Sequence, residues 1–366
     1  MNFIRKEKFN KKHVVIVIFN IHQEVKKIKA ALYKGKREIE IMDIPKPVPK
    51  TGEVLVKIKY TGICGSDLEA YETGLYPVPV VMGHEASGVI EELGPEVKIR
   101  GIKPGRRVSI DSSISCGKCN YCQRGYTNLC LDEINALGIF KNGGFAEYIS
   151  VPASSCVVVP DSIPDKFCTV FDQIGTGLFA IREANFMVGQ SAVVVGLGTI
   201  GQFQMQLLKL SGASKLIVVE KNQYRLDIAK KFNPDMALNK INLGKIKGKI
   251  TNRLGADFVF ECTGVPGVIN ATSTIIGRGG TIVQVGLCDK PFEIMLLPFI
   301  LNHNRIQCII GFLRRDFEYA VDLVANKLID PEPIVTNIIS LDDIVEEGFE
   351  RALDPEVQDI KIIVEP

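Results

Sequence analysis

Along the first half of the chain, apolar and polar positions alternate in short runs punctuated by glycine and proline. "GEVLVKIKYTGI", "GHEASGVIEEL" and "GGFAEYISVP" each carry the period of two that half-buries a strand. "KPGRRVSI" adds a turn that feeds another strand. From Lys29 to about residue 165 the pattern predicts an all-β, barrel-like domain. The period changes near Ser162. "PDKFCTVFDQIGTGLFAIREAN" spaces its apolar groups as a helix does and ends at the Gly189 turn. Near-continuous apolar runs ("SAVVVGLG", "SKLIVVE", "ADFVFECTG", "GTIVQVGL") then alternate with helical segments ("GQFQMQLLKLSG", "YRLDIAKKF"). Strands apolar at nearly every position are covered on both faces, so residues 166–312 predict an α/β unit with a parallel sheet between helices. The tail, 313–366, is predicted as helices, a loop and a last strand, "KIIVEP", returning to the first domain.

A chain of 366 residues exceeds one comfortable core, which agrees with two domains. Its 46% apolar and 23% charged residues exclude a disordered polymer. A net charge of +2, with Lys and Arg scattered, leaves no electrostatic footprint for nucleic acid or an anionic membrane. No apolar run approaches the roughly 20 residues that span a bilayer. "KKHVVIVIFNIH" (Lys11–His22) has a basic start and a short apolar core, but charged "QEVKKIK" follows without a small-residue cleavage site. Residues 1–28 are therefore expected to be an extension, and the protein cytoplasmic, where thiols stay reduced.

That compartment changes how the ten cysteines are read. Cys116, Cys119, Cys122 and Cys130 form C-x2-C-x2-C-x7-C within a lobe at 112–131. Three cysteines three apart on a tight loop pair with one another only under strain, whereas their sulfurs can converge on one ion. Four thiolates complete a tetrahedral zinc shell with no open position, a structural site. An iron–sulfur cluster or disulfides are the alternatives. The other five cysteines outside the motifs (Cys156, Cys168, Cys262, Cys288, Cys308) are expected to be small core residues.

"VVVGLGTIG" places Gly196, Gly198 and Gly201 in G-x-G-x-x-G spacing, after a β-branched strand and at the opening of an apolar helix. Gly196 suits a tight turn, Gly198 lets backbone approach a pyrophosphate, and Gly201 allows close helix–strand packing. The phosphates would sit at the helix N-terminus, and Glu220, closing the next strand, would face the adenosine ribose and favour NAD over NADP. Lys221 and Arg225 soften that preference. Thr199, Ile200, Arg225 and Gly286 complete the expected cofactor contacts. A glycine turn in an ordinary α/β sheet is the bland alternative.

A catalytic metal needs mixed ligands and an open position. "TGICGSDLEAY" supplies Cys64, and "VVMGHEASG" supplies His84 and Glu85. Taken alone, His84 would be a buried structural histidine. "GICGSD", "GHE", the cysteine lobe, "GGFAEY" and "GLGTIG" occur, however, in the order found in zinc-dependent medium-chain alcohol dehydrogenases, which the chain resembles from about Ile28 to its end. "FDQIGTG" and "GGFAEYISVP" are most similar to the polyol and threonine dehydrogenase branch.

The resemblance implies a GroES-like β-barrel domain and a Rossmann domain, with two zinc ions per chain and NAD. It implies catalytic zinc at Cys64, His84 and Glu85 with Asp172 nearby, and a proton relay beginning at Ser66. Zinc would acidify an alcohol hydroxyl, Ser66 would take its proton, and the carbinol hydrogen would leave as hydride to the nicotinamide. Cys64 thiolate and Glu85 carboxylate together neutralise Zn²⁺, so Glu85 and Asp172 are not expected to ligate tightly together. Two departures put threonine and sorbitol themselves in doubt: Glu69 stands where relatives often carry histidine, and so does Phe179. Glu69 extends the relay or is a solvated surface acid.

The expected activity is oxidation of a secondary alcohol of a polyol, sugar alcohol or hydroxy amino acid. A primary-alcohol or aldehyde dehydrogenase of the same fold, or a nucleotide-binding zinc protein without turnover, are the competing readings. "FEIMLLPFIL" (Phe292–Leu301) is too apolar for an exposed edge and is expected under the tail or in a homodimer or homotetramer interface.

Overall fold

The computed structural model describes residues 26–132, 136–250, 254–288, 290–354 and 356–366. The expected extension at 1–28 lies outside them apart from its last three residues.

Eight strands form in the first part of the chain: β1 (Lys27–Gly35), β2 (Glu38–Pro45), β3 (Glu53–Gly62), β4 (Val80–Val81), β5 (Glu85–Leu93), β6 (Arg107–Ile110), β7 (Tyr148–Pro152) and β8 (Cys156–Val158). The second part adds β9 (Ser191–Val195), β10 (Lys215–Val219), β11 (Met236–Leu238), β12 (Ala256–Glu261), β13 (Ile276–Gln284) and β14 (Arg305–Cys308). β15 (Val335–Ser340) and β16 (Lys361–Glu365) close the chain.

The six strands of the second part make one sheet in the order β11-β10-β9-β12-β13-β14, all parallel in register. Counted from β9, that is 3-2-1-4-5-6, the doubly wound Rossmann arrangement. Its apolar runs are explained by two-sided burial. Ala192 and Val194 of β9 pack into one hydrophobic core, while Val193 and Val195 pack into another on the opposite face.

In the first part, β3 is the hub. It pairs antiparallel with β5, β7 and β16 in a seven-stranded sheet, and β1 joins β2 and β4 in a smaller one. Alternation along β3 buries Val54, Val56 and Ile58 in one core. Through β15 and β16 the tail re-enters this sheet. The return begins later than residue 313. The helix Arg314–Ala325 buries Phe317, Ala320, Val321 and Val324 in the core of the parallel-sheet domain, where Phe317 meets Phe171 edge to face at 5.9 Å between ring centres. An amphipathic helix docks where its apolar stripe is matched, and here Phe171 and Ile174 supply the match.

Two further expectations are corrected. Cys156 and Cys168 are buried, but Cys288 and Cys308 are exposed and Cys262 is only partly covered. Both exposed thiols lie at or beyond the ends of strands on the outer side of the parallel sheet, away from its packed faces. The run Phe292–Leu301 does not pack under the tail. Leu297 is 64% and Leu301 72% exposed, beside the edge strand β14. No helix among the described residues is long and apolar enough to cross a membrane.

Candidate active site

Register brings the first cluster together. Gly62, the last residue of β3, pairs with Glu85 at the start of β5 and with Ile363 of β16 on its other side. Cys64 follows Gly62 by two residues and caps the helix Gly65–Thr73, so cysteine, His84 and Glu85 meet at one corner of the barrel. One ligand atom from each of Cys64, His84 and Glu85 lies within 4.8 Å of the others.

Behind them stands Asp67, fully buried. Its Oδ2 accepts the Cys64 amide at 3.0 Å, and its Oδ1 lies 3.4 Å from His84 Nδ1. This turns Nδ1 toward the carboxylate and leaves the other ring nitrogen for a ligand role. Burial pulls the His84 imidazolium down, but the Asp67 and Cys64 charges outweigh it and raise His84 well above its ordinary value. A cysteine, a histidine oriented by a buried carboxylate, and an acid make a donor set that fits zinc.

Glu85 is held more firmly than the sequence suggested. Lys361, 1% exposed on β16, donates to Glu85 Oε2 and also to the Ile63 carbonyl at 2.8 Å. Gln173 donates to Glu85 Oε1. A Cβ on Gly62 would collide with the Glu85 carboxylate and lie 2.6 Å from Lys361 Cε, so this pair requires glycine at 62. Asp172, one residue before Gln173, is outside the converging trio but within electrostatic reach of it. Burial pushes its carboxyl up to about 7, His84 and Lys361 pull it down, and Glu85 adds to the rise. Lys361 also alters the charge balance. Zn²⁺ and one lysine ammonium offset Cys64, Glu85 and Asp172 together, so charge alone no longer separates the two acids. Geometry does, because both Glu85 oxygens already have donors.

Ser66 lies in the first turn of the Gly65–Thr73 helix, half-buried. Glu69 is half-buried on the same helix, and Phe179 is in the core of the parallel-sheet domain.

The residues expected to contact a cofactor follow the C-terminal ends of β9, β10 and β13, beside the point where the strand order reverses. Gly196 has φ +89, a left-handed value that suits glycine, and a Cβ there would sit 2.5 Å from Thr263. A Cβ on Gly201 would overlap the Gly196 carbonyl. Gly198, by contrast, faces open space and caps the helix Thr199–Leu210 without a side-chain bond. Uncapped amides facing an open glycine are a fitting cradle for a pyrophosphate.

Glu220 is 7% exposed; its Oε2 accepts the Leu197 amide at 2.6 Å and its Oε1 the Asn222 amide at 2.8 Å. It thereby shapes the glycine turn. Gly286 follows β13, donates to the Glu261 carbonyl at 2.9 Å and packs tightly on Gly264. Ile200 packs on the sheet core. Thr199 Oγ1 donates to the Ile360 carbonyl at 2.9 Å, and Arg225 Nη2 to the Asp359 carbonyl at 3.4 Å. Residues 359–361 thus touch Arg225, Thr199 beside the glycine turn, and Glu85 in succession.

The cysteine lobe forms a second cluster. The sulfurs of Cys116, Cys119, Cys122 and Cys130 all lie within 4.8 Å of one another, and all four thiols are free. Cys116 and Cys122 are 4.0 Å apart, close to the edge of about 3.8 Å that Zn–S bonds of about 2.3 Å give a tetrahedron. Amides of Cys116 and Asp132 donate to Cys130 Sγ at 3.2 and 3.4 Å, and that of Cys119 to Cys116 Sγ at 3.3 Å. The Cys122 and Leu131 amides bring the Cys119 thiol down to about 6. Such donors favour thiolates, which a zinc ion requires.

Comparison with known proteins meets this geometry. Residues 50–161 match the alcohol dehydrogenase GroES-like domain, and 199–326 the zinc-binding dehydrogenase domain. An L-threonine 3-dehydrogenase of Shewanella baltica is 32% identical over 326 residues, 87% of this chain and 94% of the relative. The chain belongs to the zinc-dependent medium-chain alcohol dehydrogenases. Two solved dehydrogenase structures superpose on it over 93% of this chain and 99% of theirs. They are the 2R,3R-butanediol dehydrogenase of Bacillus subtilis, with TM-score 0.83 and 29% identity, and an Escherichia coli CFT073 alcohol dehydrogenase complexed with NADH, with TM-score 0.84 and 26% identity. As a medium-chain dehydrogenase the protein is a zinc- and NAD-dependent oxidoreductase. Sequence reasoning missed Asp67, Lys361 and Gln173. Asp67 stood inside the "GICGSD" motif, three residues from Cys64, the spacing that lets a first-turn acid reach back to the cap.

Proposed function

We propose that this dehydrogenase oxidises a secondary alcohol within a polyol, sugar alcohol or hydroxy amino acid, with hydride passing to NAD. The observation that carries the reading is the convergence of Cys64, His84 and Glu85 beside Ser66. When bound there, zinc would make a neighbouring hydroxyl acidic. Cys64 and His84 would hold the metal, with His84 steadied by Asp67. Glu85, which accepts from Lys361 and Gln173, would complete the protein ligands of the metal, and Asp172 would lie outside them. Ser66 receives the alcohol proton, and Glu69 borders its path to solvent. Gly196, Gly198, Thr199, Ile200 and Gly201 seat the pyrophosphate, with Glu220, Arg225 and Gly286 around the rest of the dinucleotide. Cys116, Cys119, Cys122 and Cys130 would hold a second, structural zinc.

Threonine and butanediol activities belong to the named relatives and support the substrate class. Glu220, anionic beside the ribose position, favours NAD because its charge repels a 2′-phosphate. The exposed apolar run at Phe292–Leu301, continuous with the edge strand β14, supports self-association into a dimer or larger homo-oligomer. An NADH-absorbance screen over 2,3-butanediol, sorbitol, L-threonine and ethanol tests the reading. Turnover of at least one secondary alcohol above ethanol, slowed in Ser66→Ala with zinc content retained, is the expected result. Ethanol as the best substrate, or no turnover of any, contradicts it.

A further inference from the structure

The loop that carries the chain from the Gly65–Thr73 helix to β4 contains Tyr76, 7% exposed. Its hydroxyl oxygen is fully buried and makes no hydrogen bond. Buried phenols ordinarily find a partner, because leaving one unpaired costs free energy. The groups that act on this phenol are those of the metal corner: Asp67, His84, Ser66 and Cys64. Ser66 lies near enough to perturb it, yet the two do not reach hydrogen-bonding geometry. Tyr76 therefore presents an unsatisfied donor and acceptor beside the residue proposed to take the alcohol proton.

Among its neighbours, Asp67 accepts the Cys64 amide and faces His84, and the amide nitrogen of Gln173 and the Lys361 ammonium donate to Glu85. We propose that Tyr76 is a specificity-determining residue, whose phenol hydrogen-bonds a hydroxyl on the carbon next to the reacting carbinol, so that the preferred substrates are vicinal diols. This rests on the dehydrogenase reading above and narrows it. Burial raises the phenol's ionisation well above its ordinary value, with Asp67 reinforcing the rise, so Tyr76 stays a neutral donor suited to a hydroxyl more than to an ammonium or carboxylate.

A site built to bond a hydroxyl discriminates strongly against the analogue that lacks it. The test compares kcat/KM for 2,3-butanediol and for 2-butanol, in wild type and in Tyr76→Phe, which keeps the ring and its packing. Wild type is expected to prefer the diol by at least tenfold. Tyr76→Phe is expected to lower that ratio at least tenfold, through the diol KM, with thermal unfolding close to wild type. Tyr76→His, restoring a polar group, is expected to recover part of the ratio. A ratio in Tyr76→Phe within twofold of wild type overturns the inference, as does a wild type that treats both alcohols alike. Failure of wild type to oxidise either alcohol while L-threonine turns over overturns the diol assignment and leaves the dehydrogenase reading standing. Failure on every alcohol overturns both.

Discussion

Lys361 and Glu85, 276 residues apart in sequence, form a fully buried ion pair directly behind the candidate catalytic zinc site. The lysine comes from the last strand of the chain and the acid from the strand that follows His84. Breaking such a pair by removing one partner leaves a buried charge uncompensated, at a cost of about 3–5 kcal/mol. Lys361→Met should therefore lower the stability of the metal-free protein by about that amount. With its lysine gone, Glu85 should bind zinc more tightly at this corner. Thermal unfolding with and without added zinc checks both: the variant should be the more strongly rescued. Equal rescue of variant and wild type would mean that Lys361 does not restrain Glu85.

Glu220 makes two charge-assisted bonds to backbone amides, one to Leu197 in the glycine turn and one to Asn222 just after β10. Bonds of this kind contribute about 1.5–3 kcal/mol, or roughly tenfold to a hundredfold in affinity. Glu220→Ala should weaken NADH binding by about that factor, and NADPH binding by less, because the charge that repels a 2′-phosphate goes with it. Fluorescence titration with both nucleotides reads the difference. A parallel loss for both would show that Glu220 only shapes the loop.

Asp111 is buried against Arg314 and its carboxyl is pushed up to about 6, mainly by burial, with the Ser113 amide and Arg314 opposing the rise. A raised carboxyl binds protons more tightly folded than unfolded. Its stabilising effect is thus full at low pH and is lost as pH climbs from about 4 through about 6. Asp111→Asn should remove that loss and leave the protein about 1–3 kcal/mol more stable than wild type at pH 8, with the gap closing at pH 4. Arg314 keeps its bonds to the Ser154 and Cys156 carbonyls, both at 2.8 Å, so it is not stranded. Urea midpoints at the two pH values measure the gap. A variant less stable at pH 8 would refute the assignment.

Leu297 and Leu301 expose most of their side chains beside the edge strand β14. The double change Leu297→Asp, Leu301→Asp should convert the proposed homo-oligomer to monomers in light scattering with little effect on the fold. A native mass unaltered by both charges would place the interface elsewhere.

Much of this was legible before the structure. The two-sided apolar runs of β9 and β10 announced a covered parallel sheet, and the spacing of Gly196, Gly198 and Gly201 announced the tight turn between β9 and its helix. The four lobe cysteines were close in sequence and so close in space. Lys361 was not legible, because one lysine at the start of an apolar strand carries no local signal and gains its meaning only when β16 pairs beside Gly62. Tyr76 was hidden for a like reason: an orphan phenol is defined by what fails to surround it. Cys288 and Cys308 misled because a cysteine in an apolar run looks buried whichever way its strand edge faces. The Arg314–Ala325 helix was assigned to the wrong domain since its stripe fixes that it docks but not on what.

The most direct test of the account is selective removal of the inner zinc. The protein should contain two zinc ions per chain, and mild chelation should strip the one held by Cys64 and His84 while the four-cysteine lobe keeps its own. Reduction of NAD by a secondary alcohol should vanish with that first ion and return when zinc is restored, with NADH binding preserved throughout. Full turnover by protein that retains only the lobe zinc would contradict the central claim.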